Sequence, residues 1–399
     1  MTATMVDLGM QPLSNAYVNV DLADAMEPFF PLHPRVCGAC FLVQLPEFQP
    51  PERIFRDYAY LSSMSDSWLD HCRRYTGAMV ERLGLGRSSL VVEVASNDGY
   101  LLRFFKDREI AVLGVEPAAN VAAIANAAGV PSLARFFGSA LASELRADGK
   151  RADLLIGNNV LAHVPDLNDF VQGLATVLAP EGVLTMEFPH LGRLLEETQF
   201  DTVYHEHFSY FSLGTAERVF AAHGLVVFDV DALTTHGGSL RVYARHAAHT
   251  VPRVSERVAA LKRREESQGL QGLEAYAGFA ERVREVKRKL LEFLIPLRRA
   301  GKHIVAYGAP AKGNTLLNYC GIRTDFIDYA VDRSPIKQGK LLPGSHIPIC
   351  HPDRIRETHP DYVLILPWNI KDEIAEQLSY VRDWGGRLVV PVPEIKEIE

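Results

Sequence analysis

The segment from Val91 to Leu102 constrains the fold of this 399-residue chain more than any other. An apolar run, Val91–Val94, is followed by the small and polar residues Ala95–Gly99 and then by a pattern with an apolar helical face. Small side chains leave the backbone accessible, and glycine tolerates a positive φ angle. Asn or Asp in such a turn can cap the helix behind it. The pattern predicts a strand, a tight turn and a helix, with room for a ligand at the turn.

A second apolar run, Ala111–Val115, leads into the carboxylate of Glu116. In a doubly wound sheet, an acid at such a strand tip accepts hydrogen bonds from ribose hydroxyls. The first turn lacks the Gly-x-Gly-x-x-Gly pattern of dinucleotide sites, and the acidic Glu93 would repel a diphosphate but attract a cation. These features favour a nucleoside with a cationic end, such as S-adenosylmethionine, over an ordinary turn of an α/β protein, which stays open as the alternative.

Strand and helix patterns alternate from Leu90 to about Arg241, which predicts an α/β fold with a central, doubly wound parallel sheet. A second α/β unit begins at Lys302, where a strand pattern again ends in a glycine turn and a helix start, and Phe326–Asp332 predicts another strand. We therefore predict four parts: an N-terminal region at 1–62, a methyltransferase-type domain at 63–245, a helical connector at 246–300 and a Rossmann-like domain at 301–399.

Composition excludes several classes of protein. With 47% hydrophobic residues, 23% charged residues and a net charge of −7, the chain lacks the basic surface that nucleic-acid binding requires. No apolar stretch is long enough to span a membrane, and the start of the sequence lacks the features of a signal peptide. The five cysteines are an odd number in a long chain, which argues against a disulfide framework. We expect a cytoplasmic enzyme with no nucleic-acid or membrane partner, and its oligomeric state cannot be read.

The segment Asp201–Tyr210 holds the most reactive side chains, with two imidazoles, a carboxylate and two phenols close together. A neutral histidine can accept a proton near neutral pH. Removing a proton beside a ketone needs such a base together with a donor to the oxygen, and the two imidazoles and Tyr204 supply both types. A metal-binding His-x-His pair and a structural polar loop are the alternatives. His163 follows a predicted strand on the ligand side of the sheet.

Three further segments carry candidate sites. The glycine turn before Ala311 and Lys312 leads into a helix start, which suits an anion such as a diphosphate. The segment Gly237–Arg241 is either a loop that approaches a ligand or a plain hairpin turn. Cys37 and Cys40 form half of a zinc site, because a structural zinc ion needs four ligands.

Together these segments resemble the sugar C-methyltransferases of deoxysugar biosynthesis, which act on nucleotide-linked 4-keto sugars. The likeness covers nearly the whole chain. Its marks are Phe30–Leu32 ahead of Cys37–Cys40, the turn Glu93–Gly99, and the segments Tyr204–Phe208, Gly237–Arg241 and Tyr307–Gly313.

The resemblance implies an N-terminal zinc-binding region, a central S-adenosylmethionine domain and a C-terminal Rossmann-like domain that helps to seat the nucleotide sugar. It implies that His207 is the general base, in a pocket lined by Tyr204, Glu206, His163 and Tyr58. The methyl donor would be held by Glu93, Ala95, Ser96, Asn97, Gly99, Glu116, Pro117 and Asn158. We further predict that the sugar substrate contacts His205, Ser239, Arg241, Ala311 and Lys312. The methylated carbon would be the one beside the 4-keto group, C3 in preference to C5.

One departure bears on the metal. Family members usually carry an earlier Cys-x2-Cys pair upstream of the segment 7–13, and this chain begins too late to include it. We therefore expect the zinc-binding region, with Cys37 and Cys40, to be incomplete.

Two rival functions remain. The first is an NAD-dependent nucleotide-sugar oxidoreductase, because Asp332 follows Gly308 at a spacing close to the ~20 residues of dinucleotide sites. The second is a nucleotide-sugar binding protein without activity.

Overall fold

A computed structural model of the chain describes residues 3–52, 61–64 and 66–398. In chain order, the strands of the described residues are β1 (Ala3–Thr4), β2 (Met10–Pro12), β3 (Val18–Asn19), β4 (Phe29–Pro31), β5 (Arg35–Val36), β6 (Val43–Gln44), β7 (Leu90–Val94), β8 (Ala111–Val115), β9 (Ser132–Leu133), β10 (Ala152–Asn158), β11 (Leu178–Pro189), β12 (Ser209–Tyr210), β13 (Leu225–Leu233), β14 (Ser239–His246), β15 (Ile304–Tyr307), β16 (Ala330–Val331), β17 (Lys340–Leu341), β18 (Ile349–Cys350), β19 (Tyr362–Ile365), β20 (Arg387–Val390) and β21 (Lys396–Ile398).

The helices of the same residues follow the alternating pattern. They are α1 (Asp66–Leu83), α2 (Leu102–Lys106), α3 (Ala119–Ala127), α4 (Ser139–Ala147), α5 (Leu167–Val177), α6 (Leu191–Glu196), α7 (Leu213–Ala222), α8 (Glu256–Ser267), α9 (Phe279–Arg299), α10 (Ala311–Cys320), α11 (Arg354–Thr358) and α12 (Lys371–Gln377). Short 3₁₀ turns, among them Leu161–His163, Phe200–Thr202, Thr235–Gly237 and Trp368–Ile370, connect several of these elements.

The central sheet has seven strands in the order β13-β14-β11-β10-β7-β8-β9. The strands from β11 to β9 run parallel, and β14 runs antiparallel to both of its neighbours. β7 and β10 are almost wholly buried, which is why their sequences are nearly continuous apolar runs. The parallel strands bring their carboxyl ends to one edge, so the turns that follow β7, β8 and β10 meet there. The predicted α/β fold with a central, mainly parallel sheet is confirmed.

The second sheet has six strands in the order β18-β16-β15-β19-β20-β21, and all but β21 run parallel. It forms the C-terminal α/β unit, which α8 and α9 connect to the central domain. The predicted strand at 326–332 was too long, because only Ala330–Val331 pairs with neighbouring strands. These two residues pair with β15 on one side and with β18 on the other.

The N-terminal region is joined to both larger units. β12, which follows the reactive segment, pairs with β6 and completes a four-stranded antiparallel sheet, β1-β5-β6-β12. β3 pairs with β17 of the C-terminal unit. One hydrophobic core also runs from N-terminal residues such as Val36 through Phe200 and α9 to Leu364 of the C-terminal sheet. The N-terminal region therefore helps to hold the other two units together, and the domain boundaries stay predictions.

No helix among the described residues is long and apolar enough to cross a membrane.

Gly173 provides a test of the packing around the central sheet. It lies in α5, and a Cβ atom added there would lie 2.8 Å from the carbonyl carbon of Gly138, just before α4. In a free helix, alanine is favoured over glycine by about 1 kcal/mol, but overpacking against backbone costs about 1–3 kcal/mol. We expect Gly173→Ala to lower the unfolding midpoint in a thermal melt.

Gly86 is the matched control, because a Cβ there would meet nothing within 4 Å. Gly86→Ala should melt at or above the wild-type temperature. Equal midpoints for the two variants would contradict the close approach of α5 to the start of α4.

Candidate active site

The turn after β7 keeps the unusual backbone that its sequence predicts. Ala95, Asn97 and Gly99 have φ angles of 57°, 49° and 76°, in the left-handed region. The N–H of Asn97 donates to Glu116 Oε2 at 3.0 Å, which ties this turn to the tip of β8. A Cβ on Gly99 would lie 3.0 Å from the side chain of Val130. The position therefore favours glycine both for its positive φ angle and for the lack of space. The turn is thus compact, with its backbone close to the sheet edge.

Three buried carboxylates, those of Glu93, Asp98 and Glu116, lie around this turn, and none forms an ion pair with another described residue. Burial raises the pKa of Glu93 well above its usual value, and the charges of Glu116 and Asp98 raise it further. Burial also raises the pKa of Glu116. A positive charge placed beside these carboxylates would favour their ionised form. The three carboxylates therefore fit a cationic ligand such as the sulfonium and ammonium groups of S-adenosylmethionine.

The remaining residues predicted for the methyl donor lie at the same edge. Ser96 is fully buried and its N–H donates to the carbonyl of Val115 at 3.2 Å, and Pro117 directly follows Glu116. Asn158 is buried at the tip of β10. The predicted donor-binding residues are therefore brought together at the ends of β7, β8 and β10.

Residues 61–64 border this turn. The N–H of Ser62 donates to Asn97 Oδ1 at 2.9 Å, and the hydroxyl of Ser63 donates to Asp98 Oδ2. Tyr58, predicted to line the sugar pocket, lies outside the described residues.

His207 is buried, and its ring orientation is set by one hydrogen bond. Its Nδ1 lies 3.0 Å from the carbonyl oxygen of Thr202. Because a carbonyl can only accept, Nδ1 carries the proton and Nε2 carries the lone pair. Burial lowers the pKa of His207 well below its usual value, and neighbouring charges, including that of Lys312, lower it further. The ring is therefore neutral at physiological pH and has the tautomer of a base that acts through Nε2.

Two aromatic rings predicted for the pocket pack against His207. The ring centroid of Tyr204 lies 4.1 Å from that of His207, and the His163 ring contacts it edge-on at 4.7 Å. Burial lowers the pKa of His163 to about 4, although its ring hydrogen-bonds to the backbone of Glu206. Two neutral imidazoles and a phenol thus share one buried cluster.

The side chain of Glu206 is buried beside this cluster. Burial raises the pKa of its carboxyl to about 7, and a hydrogen bond from Asn15 opposes the rise. The Nδ2 of Asn15 lies 2.6 Å from Glu206 Oε1. Glu206 therefore changes its charge close to neutral pH.

His205 faces away from the cluster. Its Nε2 donates to the carbonyl of Pro31 at 3.3 Å, and its ring packs against Phe30 and Phe48 of the N-terminal region. The structure thus separates His205 from the ring of His207, and its predicted contact with the substrate stays a prediction.

The C-terminal unit reaches the same region with Lys312 and Trp368. Trp368 Nε1 donates to Asp201 Oδ2 at 2.6 Å, and Lys312 Nζ lies 4.8 Å from the centroid of the Trp368 ring and 2.6 Å from Asn369 Oδ1. Burial raises the pKa of Asp201 to about 6, against the opposing effect of Lys312. Burial lowers the pKa of Lys312 to about 8, against the opposing effect of Asp201. A positive charge thus lies within electrostatic range of His207.

A second polar cluster lies at the end of β11. Glu187 is completely buried and accepts hydrogen bonds from Arg241 at 2.7 Å and from Thr235 at 2.8 Å, and His71 Nε2 lies 3.4 Å from its Oε2. Ser239 is buried nearby, and its hydroxyl donates to the carbonyl of Thr235. Both Ser239 and Arg241, predicted to contact substrate, therefore lie at the ligand edge, with the Arg241 charge neutralised by Glu187.

Asp332, predicted from its spacing to Gly308, lies against the glycine turn of the C-terminal unit. It accepts hydrogen bonds at 2.8 Å from the N–H of Ala309 and from the N–H of Ser334, and Lys337 Nζ lies 3.4 Å from it. Its carboxylate therefore ties the turn after β15 to the loop after β16. Ala311 begins α10 here and is partly exposed.

Cys37 and Cys40 lie in one tight turn of the N-terminal region, and the N–H of Phe41 donates to the carbonyl of Cys37. Hydrogen bonds from the backbone of Cys40 and Ala39 lower the pKa of the Cys37 thiol. Within the described part of the chain, no cluster of at least three His, Cys, Asp or Glu side chains could hold a metal ion. The two thiols alone do not close a tetrahedral zinc site.

Family models match the chain in three successive blocks. A model for an N-terminal domain named for zinc binding matches residues 1–55, a methyltransferase domain matches residues 68–230, and a C-methyltransferase C-terminal domain matches residues 234–393. The C-methyltransferase NovU of Streptomyces niveus is 38% identical over 397 residues, which cover 99% of this chain and 94% of that protein.

Solved structures match the chain more weakly. Magnesium protoporphyrin IX methyltransferase from Synechocystis is 16% identical, with a TM-score of 0.34, and covers 48% of this chain and 88% of its own. The 1,6-didemethyltoxoflavin-N1-methyltransferase of Burkholderia thailandensis is 18% identical, with a TM-score of 0.37, and covers 53% of this chain and 98% of its own.

Several side chains of this site had no predicted role. Asn15 contacts Glu206, His71 contacts Arg241, and Trp368 and Asp201 interact with Lys312. Two signals pointed to them: Asp201 begins the segment predicted to be reactive, and Trp368 follows directly after an apolar strand pattern, where residues at strand tips face ligands.

The Glu187 cluster leads to a prediction about stability in acid. Burial by itself would raise the pKa of Glu187, but the hydrogen bond with His71 and the charge of Arg241 lower it to about 2. A carboxylate with a depressed pKa stabilises the fold above its unfolded-state pKa and loses that effect as the pH falls. We expect Glu187→Gln to cost about 3 kcal/mol at pH 7, because Arg241 would remain buried without its partner.

The difference from wild type should shrink as the pH falls from about 4.5 towards 2, which denaturant melts at several pH values would measure. Glu144→Gln is the control, since Glu144 pairs with Arg135 on the surface, and it should leave the midpoint unchanged. If the difference in unfolding free energy between Glu187→Gln and wild type stayed constant across this range, the Glu187–Arg241 ion pair would not be what lowers the pKa of Glu187.

Proposed function

The chain belongs to the C-methyltransferase family, and from this premise we propose that it methylates a nucleotide-linked 4-keto sugar at C3, the carbon beside the keto group. The enzyme class, an S-adenosylmethionine-dependent C-methyltransferase, follows from that membership. The proposal concerns the sugar, the position and the mechanism. The observation that carries it is the buried His207, whose protonated Nδ1 leaves the Nε2 lone pair free to act as a base.

In the proposed mechanism, His207 Nε2 removes the proton from C3. The electron pair of that C–H bond forms a C3=C4 double bond of the sugar, and the π electrons of the C4 keto group move onto its oxygen. The product is an enolate. The lowered pKa of His207 keeps its ring neutral, so the Nε2 lone pair is unprotonated before the reaction. Burial also keeps water out, so the carbanion is not simply reprotonated.

The negative charge that develops on the oxygen needs a donor or a cation nearby. Tyr204 and His163 lie against the His207 ring and are the candidate donors. Lys312, whose pKa of about 8 leaves it mostly protonated at neutral pH, adds a positive charge from the C-terminal unit. We propose that Lys312 contacts the substrate, and that the nucleotide part lies towards the C-terminal unit, where α10 begins.

The methyl donor would be held at the turn after β7. When bound there, S-adenosylmethionine would supply an electrophilic methyl group, with the C3–CH3 bond forming as the S–CH3 bond breaks and neutral S-adenosylhomocysteine leaving. Glu93, Asp98 and Glu116 would balance its positive charge, and the left-handed backbone at Asn97 and Gly99 would let it approach closely. No step needs a metal ion, and the two thiols at Cys37 and Cys40 take no part in the transfer.

The substrate class can be tested with a panel of thymidine-diphosphate 4-keto sugars. We expect at least one to gain the mass of one methyl group in the presence of S-adenosylmethionine, with NMR locating that group on C3. His207→Asn should reduce turnover by about 100-fold or more, because general bases contribute on that scale, while both ligands still bind in calorimetry.

His223→Asn makes the same substitution at a surface histidine that contacts Asn168 and Gln172, and it should turn over normally. Methylation of an oxygen, of C5, or of no sugar in the panel would contradict the proposal. Full turnover by His207→Asn would contradict the assignment of the base.

Glu206 predicts how activity depends on pH. We propose that its ionised carboxylate accepts a hydroxyl of the sugar, and its raised pKa of about 7 means that this form is lost as the pH falls through neutrality. The value of kcat/KM should therefore decline below about pH 7. Glu206→Gln should lower kcat/KM and remove that acidic limb, and a limb that persists unchanged in Glu206→Gln would belong to another group.

A further inference from the structure

The N-terminal segment from Ser14 to Tyr17 lies between the reactive segment and the C-terminal unit. Asn314 Nδ2, from α10, donates to the carbonyl of Ser14 at 2.6 Å. The Tyr17 hydroxyl donates to the carbonyl of Ala309 at 2.7 Å. Both ends of this short segment are therefore fastened to the turn and helix that begin the C-terminal unit, about 300 residues away in sequence.

Asn15 lies within this segment, and its side chain is directed at the reactive segment instead of the C-terminal unit. Its Nδ2 donates to Glu206 Oε1 at 2.6 Å, and its Oδ1 lies 3.2 Å from the Tyr17 hydroxyl. The Tyr17 hydroxyl proton is shared between Ala309 and Asn15, so the amide oxygen faces Tyr17. The opposite amide orientation would set the oxygen of Asn15 against a carboxylate, which electrostatics disfavours. The amide is thus oriented so that its N–H groups face Glu206.

The surroundings of Glu206 give this contact its importance. The ionisable side chain that interacts with the Glu206 charge is Tyr17 from the N-terminal segment. His163 hydrogen-bonds to the Glu206 backbone, and His207 is the next residue in the chain. Both imidazoles are held neutral by burial. Among the described residues, it is the Asn15 side chain whose hydrogen bond stabilises the ionised carboxylate of Glu206.

We propose that Asn15 is a positioning residue for the reaction: its amide holds Oε1 of Glu206, so that Oε2 is presented to a hydroxyl of the substrate. This inference rests on the proposed function for the role of Glu206, but the contact itself does not. Asn15 acts through Glu206 and need not touch the substrate. Because Tyr17 links the same amide to Ala309, the segment also joins the nucleotide end of the proposed site to its catalytic end.

The first test reads the carboxyl group without any substrate. Protein labelled with ¹³C at the glutamate side-chain carboxyl carbon is titrated by NMR, and the Glu206 signal is identified by its loss in Glu206→Gln. Asn15→Leu keeps the side-chain volume but cannot donate. We expect it to raise the Glu206 pKa by about one unit, since a hydrogen bond to a charged group is worth about that much.

Asn19→Leu is the matched control, because Asn19 is exposed in β3, just beyond this segment, and it should leave the Glu206 signal where it is. Asn15→Asp is a second variant that keeps the shape of the side chain, and it should raise the pKa further by bringing a second carboxyl group. Thermal melting checks that both Asn15 variants are folded. If both are folded and the Glu206 pKa is unchanged in each, the inference is overturned.

The second test uses activity on whichever panel sugar is methylated. Asn15→Leu should lower kcat/KM about tenfold at pH 7 and move the acidic limb of the profile to higher pH. In the Glu206→Gln background, the same substitution should have no further effect, because its influence passes through the carboxylate. If the double variant lost kcat/KM by the product of the two single losses, Asn15 would have a role separate from Glu206. If no sugar is methylated, the proposed function fails, while the substrate-free titration still decides the contact between Asn15 and Glu206.

Discussion

The hydrogen bond from His207 Nδ1 to the carbonyl of Thr202 is the interaction on which the proposed mechanism depends. It decides which nitrogen of the ring can accept a proton, and it does so with a backbone group that cannot rotate away. The carbonyl is itself held in place, because Asp201 accepts a hydrogen bond from Trp368 and β12 pairs with the N-terminal β6. The position of one imidazole is therefore secured by all three parts of the chain.

The site contains two electrostatic environments that complement each other. Around the turn after β7, the pKa values of Glu93 and Glu116 are raised because burial and neighbouring carboxylates disfavour the charged form. Around His207, burial and the nearby Lys312 lower the pKa of the ring. The first environment suits a cation, and the second keeps a base neutral. The proposed methyl transfer from a sulfonium to a carbanion would use both environments.

Part of this arrangement could be predicted from the sequence, because local patterns report local structure. The strand, turn and helix at Val91–Leu102, the acid at Glu116 and the cluster at Tyr204–His207 were all readable, and the class of enzyme predicted from them is confirmed by family membership. The strand at 326–332 was overestimated, because an apolar run does not reveal how many of its residues find a partner strand. His205, beside His207 in sequence, faces the N-terminal region instead.

What the sequence by itself determined is which residue types are present: a small-residue turn with acids, which suits a cationic nucleoside, and histidines beside phenols, for which we propose proton removal. Only the tertiary structure decided which of these groups meet. Asn15 reaches Glu206 across 191 residues, and Trp368 reaches Asp201 across 167. The physical reason is that hydrogen bonds and charge interactions act over a few ångströms in space, while sequence patterns record neighbours along the chain. The tautomer of His207 and the charge of Glu206 are consequences of folding, because each is set by partners that burial brings close.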